Sequence, residues 1–156
     1  MTKKTIESKK IEAQQIIRNC IGKAGIWASP TRYQDQCWTR DFSLAGLDAL
    51  IFVGEAESAK KHLEELCKRQ SPEGKIPILY FDNAIRCLTK KAWKTVTTGK
   101  MSYILKHSLD VGNLTPWTTD SEVNFVIAMH EYSAKTNDDK FLQEHRPSVQ
   151  KAMSYS

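Results

Sequence analysis

The apolar positions of this chain recur mostly at helical spacing. Between residues 4 and 23, Ile6, Ile11, Ile16 and Ile17, with Ala13 and Cys20, fall near a 3.6-residue period, and Gly22 and Gly25 follow. That spacing predicts an amphipathic helix closed by glycine. Residues 41–53, DFSLAGLDALIFV, are apolar almost all round and predict a largely buried helix ended by Gly54. Residues 55–69 carry Ala59, Leu63 and Leu66 on one face and lysines and glutamates on the other. Glu57–Lys61 and Glu64–Lys68 stand four apart there, in the favourable order for ion pairs.

Pro72 and Gly74 mark a turn, and Pro77 holds the apolar run 76–81 in an extended form. Residues 83–93 and 101–109 read as shorter helical stretches, stopped by Gly112-Asn113 and Pro116. Residues 121–135 predict a strong helix through Val123, Phe125, Val126, Ala128, Met129 and Tyr132. Asn137-Asp138 then turns the chain into a last helix over 139–155. No Asn-Gly hairpin signal lies between alternating runs. The expected fold is all-α, one domain over residues 1–156, built from antiparallel helix pairs.

Composition changes this picture little. The chain is 40% hydrophobic and 26% charged, which is ordinary for a globular domain. No apolar run is long enough to span a bilayer, and MTKKTIESKKIEAQQ has lysines with no apolar stretch behind them. The expectation is a cytoplasmic protein with no secretory leader. Cys20, Cys37, Cys67 and Cys87 form no C-x-x-C pair, and His62, His107, His130 and His145 are scattered. Reduced thiols, surface positions for His62 and His145, and no metal or other cofactor are expected.

The formal net charge of +5 draws on Lys3, Lys4, Lys9 and Lys10, and on the run Arg86, Lys90, Lys91, Lys94, Lys100 and Lys106. Trp93 and Tyr103 interleave with that run, a pattern compatible with nucleic acid, although no nucleic-acid motif accompanies it. A solvated face is the simpler account. Thr98-Gly99-Lys100-Met101-Ser102 lacks the first glycine and the preceding strand of a phosphate loop.

Two loops carry the candidate chemistry, and each leads into a helix. The first is Trp27-Ala28-Ser29-Pro30 … Tyr33 … Trp38-Thr39-Arg40-Asp41. Its rings offer flat apolar faces with polar edges. Arg40 offers a planar fork of donors and Asp41 offers acceptors. Sugars present C–H faces and vicinal hydroxyls, which suit that combination. The competing account makes Asp41 a helix cap, Arg40 a surface ion-pair partner and the tryptophans core.

The second loop is Pro116-Trp117-Thr118-Thr119-Asp120-Ser121-Glu122. A carboxylate beside a tryptophan suits a general acid, since apolar surroundings disfavour the ionised form. Thr119-x-x-Glu122 also fits a capping box, which would occupy Glu122 and leave Asp120 available, while the helix N-terminus favours ionised carboxylates.

Ala28-Ser29-Pro30 … Tyr33 … Trp38-Thr39-Arg40-Asp41 resembles the substrate loop of glucoamylases and related six-hairpin glycosidases. Gln70 … Pro72-Glu73-Gly74-Lys75-Ile76-Pro77 and Thr119-Asp120-Ser121 … Phe125 … Tyr132 … Thr136-Asn137-Asp138 are similar to segments of the wider superfamily, including glycogen-debranching glucosidases and neutral invertases. The likeness covers roughly residues 24–82 and 110–155.

The resemblance implies a partial α/α toroid of helix hairpins around one sugar pocket. It implies an acid-assisted hydrolase acting on α-glucosidic oligo- or polysaccharide. Arg40 and Asp41 would hold hydroxyls of the sugar at the cleaved bond, and Trp38, Tyr33 and Trp27, with Trp117, would line or support the pocket. Asp120 would be the general acid, with Glu122 its rival in the glucoamylase register. Such hydrolysis uses two carboxylates, and in these families the second comes from far down the chain. The expectation is therefore an N-terminal half, completed by further chain or by a partner subunit. A non-catalytic helical carbohydrate-binding protein is the alternative.

Overall fold

The computed structural model describes residues 3–83, 85, 89, 93, 96–97 and 120–155. Six helices and one two-stranded sheet are formed among the described residues, so the protein is mostly helical. Helix α1 is Lys3–Arg18. Strand β1, Gln36–Trp38, runs directly into α2 over residues 39–52. Helix α3 is Ala56–Lys68, and strand β2 is Leu79–Phe81. Helices α4, Asp120–Thr136, α5, Asp139–Glu144, and α6, Arg146–Tyr155, complete the fold.

One small sheet accompanies the helices, and the fold is mostly helical, in keeping with the all-α expectation. β1 pairs antiparallel with β2 in the register Gln36↔Phe81, Cys37↔Tyr80, Trp38↔Leu79. Forty residues separate these strands, so no short turn announces them. Of the run 76–81 that was expected to be extended, residues 79–81 form β2.

Helix α2 is not regular. Between α-helical Thr39–Asp41 and Leu47–Phe52 lies a π-helical turn, Phe42–Gly46, in which the Leu47 amide donates to the Phe42 carbonyl five residues back. The wider turn brings Phe42 and Leu47 onto one face, where both are buried with Leu50. The near-complete ring of apolar residues is therefore split. Leu44 stays 72% exposed and Phe52 57% exposed, so this helix is less buried than its sequence predicts.

Helix α4 is the centre of the packing and touches α2, α3, α5 and α6. Its Phe125, Ala128 and Met129 meet Leu63 and Leu66 of α3 in one continuous core. Lys135 of α4 reaches Asp48 of α2 and Glu131 of its own helix. On α3, Lys68 and Arg69 both pair with Glu65, so the expected Glu64–Lys68 partnership gives way to an i,i+3 pair. The expected last helix is two helices. Pro147 has no N–H to give the Gln143 carbonyl, so the helical ladder of α5 ends at His145, whose amide donates to the Phe141 carbonyl at 3.1 Å.

Helix α1 packs mainly by its C-terminal end. Ile17 packs against the core and Cys20 is buried, while Ile6 and Ile11 are more than half exposed. No helix among the described residues is long and apolar enough to cross a membrane. The expected helix 101–109, Cys87, His107, Trp117, Thr119 of the capping box, and the basic run at Arg86, Lys90, Lys91, Lys94, Lys100 and Lys106 lie outside the described residues.

Candidate functional site

A cleft of about 640 Å³ opens along α2. Trp27, Tyr33, Trp38, Arg40 and Asp41 all line it, so the sequence-predicted substrate loop forms one wall. The volume falls in the range of small-molecule sites, roughly 300–1,000 Å³.

The junction of β1 and α2 sets the polar end. Thr39 is buried, its amide donating to the Ile78 carbonyl at 2.9 Å and its hydroxyl donating to the Pro77 carbonyl. With Thr39 pinned inward, its neighbours Trp38 and Arg40 face outward, half-buried and exposed respectively. The Trp38 indole N–H donates to Gln36 Oε1 at 3.2 Å, which fixes the ring against the strand. Asp41 is exposed in the first helical turn, where N–H groups and the helix dipole favour an anion.

Trp27 is placed by a separate device. After α1 the chain folds back, with Ile21 bridging Ile26 and the Gly22 amide donating to the Gly25 carbonyl at 2.8 Å. The Asp82 carboxylate closes this turn. It accepts from the Lys23 amide at 2.9 Å, the Ala24 amide at 2.6 Å and the Trp27 indole at 3.1 Å. A Cβ on Gly22 would sit 2.2 Å from Asp82 Oδ2, so glycine is required for this close approach. Asp82 escaped sequence reading because it stands 55 residues from Trp27.

His62 is the second residue that sequence reading misplaced. It was expected at the surface and is fully buried. Its ring stacks on Phe42, centroids 3.9 Å apart, and leans on Tyr80 at 5.2 Å. Nδ1 accepts a long 3.4 Å hydrogen bond from the Ile26 amide, and Nε2 has no partner among the described residues. Burial lowers its pKa to about 3, so the neutral tautomer carries its proton on Nε2. His62 thus braces two cleft-lining residues, Ile26 and Phe42, from behind.

The two loops meet through one ion pair. Arg40 Nη1 stands 3.6 Å from Asp120 Oδ2 at the start of α4, both side chains about half exposed. Glu122, two residues on, is buried, and Oε1 accepts from the Ile76 amide at 3.0 Å. That bond ties the start of α4 to the segment leading into β2. Asp120 therefore reaches the cleft through Arg40, whereas Glu122 serves the backbone behind it.

Tyr33 is 37% exposed and carries the Arg32 guanidinium over its ring at 5.3 Å. Ser29 Oγ accepts from the Thr31 and Arg32 amides, both at 3.2 Å, which shapes the Ser-Pro turn before it. No cluster of three or more metal-ligating side chains occurs among the described residues. Cys20, Cys37 and Cys67 are free thiols. Burial pushes Cys37 up to about 12 and Cys67 up to about 11, which makes them poor nucleophiles.

Comparison with family models, with curated proteins and with solved structures finds no match.

Proposed function

We propose that this cleft binds an α-glucosidic oligo- or polysaccharide and that Asp120 serves as general acid for cleavage of its glycosidic bond. One observation carries the reading. Three aromatic rings, the Arg40 fork and Asp41 share one cleft, and Arg40 pairs with Asp120 from the other loop.

In this reading Trp38, Tyr33 and Trp27 cover the C–H faces of sugar rings, and Arg40 and Asp41 take vicinal hydroxyls. The Arg40–Asp120 pair is solvent-exposed, so separating it costs about 1 kcal/mol or less. A sugar inserted between the two groups replaces that contact with hydrogen bonds to its own oxygens. Asp120 then protonates the leaving oxygen, an effect worth on the order of 10²- to 10⁴-fold. The helices form part of an α/α toroid, and the second carboxylate comes from further chain, as the likeness to six-hairpin glycosidases implies.

Calorimetric titration of the folded chain with maltotriose and longer α-glucans tests the binding step. Binding should disappear in Trp38→Ala, weaken in Arg40→Ala and persist in Asp120→Asn. In a form of the protein that hydrolyses glucans, Asp120→Asn should abolish turnover. Absence of binding heat in a folded sample refutes the sugar site. Retained hydrolysis in Asp120→Asn refutes the general acid.

A further inference from the structure

The cleft changes character along its length. Arg40 and Asp41 stand at the N-terminal end of α2, and Ala49 lines the same cleft nine residues beyond Arg40. At about 1.5 Å per residue, that is roughly 13 Å along the helix axis. The far half is apolar. Leu44, Ala45 and Ala49 of α2 line it together with Ile16 and Ile17 of α1.

Contacts between the helices place α1 beside this far half. Arg18 Nη2 donates to the Val53 carbonyl at 3.0 Å, and the Lys10 ammonium lies 6.0 Å from the Phe52 ring centroid. The apolar lining is open to solvent in part, with Ile16 at 53% and Leu44 at 72% exposure. Side chains of this kind gain little from facing water and gain several-fold in affinity for each methylene they cover. A sugar held at the Trp38–Arg40–Asp41 end keeps its polar partners, whereas a further sugar ring laid against Ile16 and Leu44 would leave its hydroxyls unpaired, at a desolvation cost.

We propose that the cleft takes an amphiphilic glycoside: a sugar at the Trp38–Arg40–Asp41 end and an apolar aglycone between α1 and α2. The proposal rests on the sugar-site reading above and adds the chemistry of the group attached to the sugar. Ile16 and Leu44 are then specificity residues for the aglycone.

The test is calorimetry on the folded chain with methyl α-glucoside, hexyl α-glucoside below its micelle concentration, and 1-hexanol. Hexyl glucoside should bind at least about tenfold more tightly than methyl glucoside, because each methylene buried is worth roughly fourfold. It should also bind at least about tenfold more tightly than hexanol. In the double variant Ile16→Ser, Leu44→Ser, the ratio of hexyl to methyl affinity should fall towards one. Both positions are more than half exposed, and an unchanged thermal midpoint confirms that the variant is folded.

If both glucosides bind equally, the aglycone site is refuted and the sugar site stands. If hexanol binds as tightly as hexyl glucoside, the cleft is an apolar site with no part for the sugar, and the proposal is refuted. If no glucoside binds, the sugar reading fails and takes this inference with it. If the double variant keeps the full ratio, the aglycone lies elsewhere.

Discussion

Removing the Asp82 carboxylate should loosen the turn that carries Trp27. In Asp82→Ala three donors lose their acceptor at once: the Lys23 amide, the Ala24 amide and the Trp27 indole N–H. They do not weigh equally. The Lys23 bond is exposed, and water replaces it at little cost. The other two are partly buried, and each hydrogen bond to a charged group is worth about 1.5–3 kcal/mol. Partial access of water at the site reduces this, giving a loss of about 2–3 kcal/mol for the substitution. For a domain of this size 1 kcal/mol shifts the melting temperature by about 2–4 °C, so a fall of roughly 5–10 °C is expected.

Asp82→Asn keeps one acceptor oxygen and should lose about half as much. Urea unfolding followed by tryptophan fluorescence measures both variants. Near-UV circular dichroism of the native state should also change in Asp82→Ala, because the Trp27 ring loses its polar anchor. A loss below about 0.5 kcal/mol in Asp82→Ala, or the same loss in both variants, refutes the reasoning that the carboxylate organises this turn.

His62 gives a pH prediction. Its pKa is about 3 in the folded chain against 6.5 as its ordinary value, so between those limits the unfolded chain binds one more proton. Stability should therefore fall as pH drops below 6.5, by about 2 kcal/mol at pH 5, and His62→Gln should flatten that slope in urea titrations at pH 7.5 and 5.0; an unchanged slope would mean that another group titrates. Glu122 distinguishes a backbone role from a catalytic one. Glu122→Gln keeps an oxygen for the Ile76 amide and should cost less than about 1 kcal/mol, whereas Glu122→Leu orphans that buried donor and should cost about 1–3 kcal/mol more; equal losses on urea unfolding would deny the bond its role.

How far the sequence disclosed this molecule depends on the range of each interaction. The helical periods of 55–69 and 121–135 were legible because both helices bury one stripe against a shared core, as Leu63 and Phe125 do. That Trp27, Tyr33, Trp38, Arg40 and Asp41 share one cleft was legible because these groups lie within fifteen residues of one another. The β1–β2 pair, the Asp82 clamp and the His62 brace were not, since they join residues 43, 55 and 36 positions apart. His62 illustrates the limit well. It sits in a helix of lysines and glutamates and reads as one more polar position. Only the approach of Phe42, Tyr80 and Gly25 makes it a core residue. A Cβ on Gly25 would meet its Nδ1 at 2.5 Å, and Gly25 itself has φ +147°.

The π turn in α2 connects the fold to the cleft. In a regular helix Phe42 and Leu47, five residues apart, would diverge by about 140°, and one of them would leave the core. The i→i+5 closure lets both stay buried and leaves Leu44 outside, along the cleft. The same turn, which carries Ala45, separates Arg40 and Asp41, held by the Thr39 anchor, from Ala49, held by the core-facing Leu47 and Leu50. Each half of α2 is therefore fixed by its own contacts. The polar end is set by the sheet and the apolar end by α1 and the core. A variant that restores regular α-helix here would bring the two halves into a new register, and the rings at one end would no longer face the same space as the aliphatic groups at the other. The irregular turn is what lets one short helix present a forked cation, a carboxylate and an aliphatic floor to a single cleft.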